Sequence, residues 1–426
     1  MSTVFTSTKK LPNHLATQDQ LELEKLSLAV AAASEVRTAR EKARRLLLLD
    51  PSAQTLDGAN GLERALDQWL MAHISAVVNN DPSRPRLFWA VDNTPRRWAG
   101  HIYPGAAVAI DNPDNVNRTS PLDGRWSYVL EGHYGRPATG QLSINVNLAN
   151  DGQLRWGDAI ATLTNKDIRA DEHGRFTITL DRLPAHGRSN HLQLVDGPLQ
   201  LSIRDSHADW RQQATNFSIR VVSGPDLNPL KGDAELVAEA AQGLEEFVAF
   251  WLHFKNSFWD NPPYNQIVGP NRREREGGWG VQAGGRFRLE EDQALVIRTA
   301  TGGAEYTGFQ ISDPWTISPT PVYHTTSRNL AQSAQNPDGS YTYVISLVDP
   351  GVVNWIDTAG LHEGWFMLRW QNLPATSNPA DLVQEVFLEN LADIGKSIHP
   401  SVPRVDLKDR RKEITARIRQ YRNRSE

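Results

Sequence analysis

The residues best suited to proton chemistry crowd into one stretch, DPGVVNWIDTAGLHEGWFMLRW, running from Asp349 to Trp370. It reads as a strand end, a Pro-Gly turn, a dense polar patch and then a Gly-led strand. Proton transfer needs a group that titrates near neutrality, and His362 is the natural one, with Asp357 or Glu363 orienting its second ring nitrogen. Arg369 supplies a fixed cation for an anionic group or a developing oxyanion. Asn354 adds a hydrogen-bonding amide and Trp355 a stacking face, with Trp315 and Trp279 as further stacking candidates. The competing reading is structural: Asp357 and Thr358 cap a turn, and His362 is a surface residue.

Two other segments carry candidate groups. In IRDSHADW, residues 203–210, alternation on an extended chain puts His207 on the face of Asp205 and Asp209, the arrangement of a carboxylate-held histidine. Solvent-face polarity explains the same pattern. In DNPDN, residues 111–115, Asp111, Asn112, Asp114 and Asn115 flank a proline. Clustered oxygen ligands suit a hard cation, but the glycine and distal glutamate of a calcium loop are missing, and Asx residues beside proline are ordinary turn formers. No metal is expected, and Asn115 is kept as a substrate-binding candidate. There is no G-x-S-x-G elbow, phosphate loop, G-x-G-x-x-G fingerprint or H-E-x-x-H helix, so a redox or nucleotide cofactor is not expected.

These groups must be positioned by elements of two kinds. Residues 17–49 read as one long helix opened by a Thr17/Gln20 capping box. A second helix carries Leu62, Leu66, Trp69, Leu70, His73, Ile74 and Val77 as one stripe, and Asn79–Pro82 stop it. His73 on that stripe reads as a satisfied core histidine. From about residue 86 the period becomes two: Leu142, Ile144, Val146 and Leu148 alternate with polar residues, as do Phe176, Ile178 and Leu180, and Phe217, Ile219 and Val221. Turn clusters between the runs favour antiparallel strands over crossovers. Residues 233–258 return to helix, with Leu236, Ala240, Leu244, Val248 and Trp251 on one face, and strands follow to about residue 375. The expectation is a mainly β protein with helical additions: a helical N-terminal region (1–85), a first β-sandwich (86–232), a connecting helix (233–262), a second, jelly-roll-like β unit (263–403) and a charged tail (404–426) that forms a solvated terminal helix.

Composition narrows the function classes. A chain of 426 residues with 39% apolar and 22% charged residues is ordinary globular material, and it exceeds the roughly 250–300 residues that one core supports. The net charge of −5 and the absence of a basic stripe argue against nucleic acid. With no cysteine there is no disulfide framework and no thiolate site. No run approaches the ~18 apolar residues of a membrane span, and no export signal is evident, so a cytoplasmic protein with no membrane partner is expected. Thirteen tryptophans are many for this length; they either line a site or fill cores.

Five segments carry a family resemblance: DNPDNVNRTSPLDG, LQLSIRDSHADW, GRFRLEEDQALVI, GFQISDPW and, most specifically, residues 349–370. Over roughly residues 100–375 the chain resembles the bacterial family catalogued as domain of unknown function 1214, often found beside a related domain numbered 1254. That resemblance implies β-sandwich and jelly-roll units with helical additions. The stretch IRDSHADW departs from the family, which more often carries aromatic residues there, so His207 is particular to this chain.

Two function classes follow. The first is a cofactor-independent lyase or hydrolase acting on a small, partly apolar or sugar-like substrate, with His362, Asp357, Arg369 and His207 as catalytic groups and Asn354, Trp355, Trp315, Trp279 and Asn115 as substrate-binding groups. The second is a non-catalytic ligand-binding or assembly protein. A small-molecule substrate is the expected partner, with homo-oligomerisation left open. Convergence of His362, Asp357 and Arg369 in a concave pocket separates the first class from the second.

Overall fold

A computed structural model of the chain describes residues 13–149, 158–258, 262–272 and 280–425. The protein is mainly β, 33% strand and 28% helix, with no closed barrel among the described residues. Two four-on-five-stranded sandwiches share one helical layer.

The first sandwich has a five-stranded sheet in the order β1 (Phe88–Val91), β4 (Asn115–Asp123), β10 (Pro198–Ser206), β6 (Gln141–Leu148), β7 (Ala159–Thr164). It faces β11 (Asn216–Ser223), β5 (Ser127–His133), β8 (Arg175–Asp181) and β9 (His191–Gln193). The alternating apolar residues meet between the sheets: Leu142, Ile144 and Val146 of one pack with Phe176, Ile178 and Leu180 of the other. A short hairpin, β2 (Arg96–Trp98) and β3 (His101–Tyr103), leaves this sandwich to meet the helices.

The second sandwich sets β12 (Val268–Arg272), β13 (Val281–Arg288), β19 (Glu363–Gln371), β15 (Tyr306–Ser312) and β16 (Ser327–Asn329) against β18 (Trp355–Asp357), β17 (Tyr341–Ser346), β14 (Gln293–Thr299) and β20 (Val383–Asn390). Phe366, Leu368 and Trp370 point into its core, so Trp365, Met367 and Arg369 lie on the opposite face of β19. Gly364 is required at the head of β19, because a Cβ there would stand 2.2 Å from the Ser312 carbonyl oxygen.

The helical layer comprises α1 (Gln18–Ala31), α2 (Ser34–Leu49), α3 (Leu56–Val78) and α4 (Asp233–Phe258). Residues 17–49 are therefore two helices, not one. The Ala31–Ala33 run favours helix; the bend is imposed by packing, which sets α1 on α3 and turns α2 back along α4. Only half of the capping box forms. The Thr17 hydroxyl accepts from Gln20 N at 3.2 Å, while the Gln20 carboxamide donates to Glu24 at 2.9 Å and accepts from Trp89 N at 2.7 Å. His73 is the satisfied core residue its stripe predicts, with Nε2 3.0 Å from the Ala240 carbonyl and a pKa lowered by burial.

The short α5 (Ile394–Ser397) covers the outer face of β14 and β17 through Ile394. The charged tail is solvated along one side only. It forms α6 (Leu407–Ser425), whose Arg410, Arg417 and Arg424 recur every seven residues and are all buried. Arg417 donates to the Pro321 carbonyl at 3.0 Å, Arg424 to the Pro113 carbonyl at 2.6 Å, and both guanidiniums lie over Trp210. The helix thus clamps both sandwiches. A basic repeat in a sequence looks solvated, but carbonyls and aromatic faces can receive it.

Candidate functional site

The residues of the 349–370 stretch do not gather. Asp357 orients a histidine, but that histidine is His324, whose Nδ1 is 2.8 Å from Asp357 Oδ2. His362 lies elsewhere: its main-chain N–H donates to Asp57 at 2.7 Å, at the start of α3, and its Nδ1 is 3.1 Å from the Leu289 carbonyl. Arg369 follows Glu363 by six residues along β19, or about 20 Å at ~3.3 Å per residue. No hydrogen bond or ion pair among the described residues joins His362, Asp357 and Arg369.

Arg369 is instead a buried cross-brace between the sandwiches. Its guanidinium donates to the Gln310 side chain and, at 3.1 Å, to the Ile110 carbonyl. The Ala109–Ile110 turn that it grips has φ of 54° and 52°, a left-handed conformation that a β-branched residue rarely adopts. The strain of this turn is carried by contacts from Arg369 and Gln310, which also donates to Ile110 O at 3.1 Å.

Asn354 bridges a loop, donating to Ala334 O at 2.8 Å and accepting from Ala334 N at 2.7 Å. Trp355 gives its indole N–H to Ser346 O at 3.1 Å and stacks under Arg410. Trp315 is fully buried in the helical core with its N–H on Gly58 O at 2.7 Å, and Asn115 accepts from the Ser206 hydroxyl at 2.6 Å. Trp279 lies outside the described residues. Of the ten tryptophans among the described residues, nine are buried and Trp355 is partly so, so core packing accounts for the tryptophan content seen here.

His207 is fully buried, and neither ring nitrogen makes a well-formed hydrogen bond. The two carboxylates expected to hold it are occupied elsewhere: Asp205 takes the Thr139 hydroxyl and Thr215 N, and Asp209 pairs with Arg211. Burial, then the positive charges of Arg424 and Arg118, hold its pKa well below the usual value, and the Gln212 main chain opposes them only weakly. A ring in that state is neutral at physiological pH.

The DNPDN residues form the wall of a polar junction between the sandwiches. Asp114, 1% exposed, accepts from Trp210 Nε1 at 2.6 Å, Asn329 Nδ2 at 2.9 Å and the Tyr306 hydroxyl at 2.7 Å. Burial, reinforced by Asp92, pushes the Asp111 carboxyl up to about 7. These acids serve as turn and interface groups. Among the described residues, no group of three or more His, Asp or Glu side chains is arranged to hold a metal.

His324 is absent from the candidates that the sequence offered. Its only signal is a histidine beside a tyrosine in PVYHTTS, far from Asp357 along the chain. The hydrogen bond to Asp357 raises its pKa, against a smaller opposing effect of burial. The folded value lies above the unfolded value of about 6.5. The pair's stabilisation is therefore present below that value and disappears as pH rises through the folded pKa. With the ring 42% exposed, it amounts to under about 1 kcal/mol. In an NMR titration the His324 ring should lose its proton at a higher pH than a surface histidine, and Asp357→Asn should bring its midpoint down; an unchanged midpoint would contradict the pairing.

A cleft of about 260 Å³ opens between the 14–20 segment and the strands β1, β4 and β11. Leu15, Leu87, Trp89 and Phe217 form apolar walls, with polar groups at His14, Gln18, Asp19, Asn216 and Ser218. Trp89 and Arg118 are among its lining residues, but Trp89 Nε1 and Arg118 Nη1 are buried away from solvent, and Arg118 Nη1 is ion-paired with Asp205 Oδ2 at 3.7 Å. Its volume is slightly below the ~300–1,000 Å³ usual for small-molecule pockets. The cleft contains none of the nine site residues expected from the sequence.

No protein-family model matches the chain, and no curated protein matches it. Among solved structures it is similar to an uncharacterized protein from Burkholderia cenocepacia, at 20% identity and TM-score 0.71, over 87% of this chain and all of that one. At that identity the likeness extends to the fold. A second structure, the VPA0106 protein from Vibrio parahaemolyticus, aligns at 10% identity and TM-score 0.40 over 66% of this chain and 90% of that one. No helix among the described residues is long and apolar enough to cross a membrane.

Proposed function

We propose that this protein is a non-catalytic small-molecule-binding protein whose ligand sits in the cleft between residues 14–20 and β1, β4 and β11. One observation carries the reading: a cleft of about 260 Å³ sets apolar walls from Leu15, Leu87, Trp89 and Phe217 beside polar groups at His14, Gln18, Asp19, Asn216 and Ser218, whereas the acid–base candidates are separated along the fold and engaged in structural contacts. The test is a thermal-shift screen of a metabolite library on the wild type and on Ser218→Trp, a change at an exposed rim position that fills the mouth of the cleft. Hits that raise the melting temperature of the wild type and fail on Ser218→Trp support the reading; hits indifferent to the substitution, or none, overturn it.

The His324–Asp357 pair favours a second reading, the expected lyase or hydrolase, with His324 replacing His362 as the proton-transferring group and Asp357 orienting it. Activity on an identified substrate would then fall by about 10²-fold or more in His324→Ala, and its pH profile would move in Asp357→Asn. Kinship with domain of unknown function 1214 belongs to this proposal too, supported by the ordered motif in residues 349–370.

A further inference from the structure

We infer that the solvent face of α6 is a docking surface for the phosphate backbone of a double-stranded nucleic acid, bound without regard to base sequence. The inference is independent of the cleft. The nineteen residues of α6 hold eight Lys or Arg against Asp409 and Glu413, in a chain whose net charge is −5. The chain-wide balance that argues against nucleic acid therefore conceals a local excess of positive charge. Burial of Arg410, Arg417 and Arg424 fixes the rotation of the helix. At about 3.6 residues per turn, the opposite side presents Lys408, Arg411, Lys412, Thr415, Arg419 and Arg422, all of them exposed. Five of these six are cations and none is acidic.

The nearby acids do not cancel the row. Glu413 is taken from beneath by Arg328 at 2.7 Å and Arg410 at 2.6 Å. Asp409 stands at the edge, 2.6 Å from Lys412, and Asp406 caps the first turn by accepting from Asp409 N at 2.8 Å. Lys408, Arg411 and Arg419 have no ion pair among the described residues.

The row runs about 21 Å at ~1.5 Å per residue, with a cation every three or four residues over most of its length. Its complement is a line of regularly spaced anions, which a duplex supplies with one phosphate per about 3.4 Å of axis on each strand. Arg411, Arg419 and Arg422 bring guanidinium forks that match phosphate oxygens. Other polyanions fit less well. A helix held by a bilayer sinks an apolar face into it, whereas the inner face of α6 is spent on Trp210 and on the Pro321 and Pro113 carbonyls, and the outer row has no apolar side chain. Single strands are gripped by stacking bases on aromatic rings, and the row has none. A helix lying flat against its own protein is also kept from entering a groove to read base edges, so the contacts stay on phosphates.

Fluorescence anisotropy of a labelled duplex of about 20 base pairs, with the full chain, tests this. The wild type should bind two unrelated sequences equally, at micromolar Kd in low salt, and log K should fall against log salt with a slope of about −3. The triple variant Lys408→Ala, Arg411→Ala, Arg419→Ala, changed only at exposed positions, should bind at least about tenfold more weakly and with a slope shallower by about 2 or more. If that variant fails to fold, Arg419→Glu alone should still weaken binding several-fold. Absence of saturable binding at about 50 mM salt, or binding unchanged in these variants, would overturn the surface. Phosphatidylglycerol vesicles or polyglutamate bound more tightly than the duplex, with the same loss in the triple variant, would overturn the nucleic-acid class and assign the row to a membrane or to an acidic protein.

Discussion

Replacing Glu24 by alanine should cost about 3–5 kcal/mol of stability, because it leaves the buried Arg96 guanidinium without the carboxylate that it pairs with directly. Glu24 is fully buried in α1. One oxygen accepts from Arg96 Nε at 2.7 Å and from Gln20 Nε2 at 2.9 Å; the other accepts from Trp98 Nε1 at 2.6 Å and His101 Nε2 at 2.7 Å. Arg96 itself is 0% exposed, 4.6 Å from the ring centroids of both Trp89 and Tyr103. Those rings stabilise a cation but accept no strong hydrogen bond from it, so the carboxylate remains necessary. Glu24→Gln keeps the shape but presents an N–H where donors already point, and about 1–3 kcal/mol should be lost. Urea unfolding followed by tryptophan fluorescence checks both values. A loss below about 1 kcal/mol for the alanine variant would show that the cage tolerates an unpaired arginine, contrary to the buried-pair argument. Gln20 links this cluster to Trp89 at the cleft, so Glu24→Ala should also weaken any ligand held there.

A loss of similar size, about 3–5 kcal/mol, is expected for Asp114→Ala. Its carboxylate receives Trp210 from the first sandwich and Asn329 and Tyr306 from the second. Deleting it orphans three buried donors at once and removes negative charge that faces Arg369 and Arg417. The consequence should be regional as well as global. Trp210 anchors α6 through Arg417 at 4.5 Å and through an edge contact to Tyr421 at 5.1 Å, so the variant should lose residues 407–425 to limited proteolysis before the sandwiches unfold. Tyr306→Phe removes one partner only and should cost about 1 kcal/mol. If Asp114→Ala and Tyr306→Phe cost the same, Asp114 is not the hub that its contacts describe.

Local patterning along the chain specifies the kind and much of the facing of the longer strands and helices. Alternation at Leu142–Val146 and Phe176–Leu180 specifies strands with one face inward, since side chains along a strand point to opposite sides. The spacing of Leu236, Ala240, Leu244 and Val248 likewise specifies a buried helical stripe, and the same reading recognises His73 as a core residue. These inferences succeed because periodicity reports side-chain direction within a few residues. The candidate site was much less legible. Asp357 finds His324 rather than His362, Glu24 finds Arg96, and Asp114 finds Tyr306, partners separated in sequence by 33, 72 and 192 residues. Such pairings depend on strand order, register and the closure of long connections, none of which leaves a local pattern. The tail shows the same division: its seven-residue arginine repeat is visible in the sequence, but only the tertiary structure supplies the carbonyls and the Trp210 face that make burial of those cations favourable. The cleft belongs wholly to the tertiary level, because its walls come from four distant segments, residues 14–20, β1, β4 and β11, that meet only on folding.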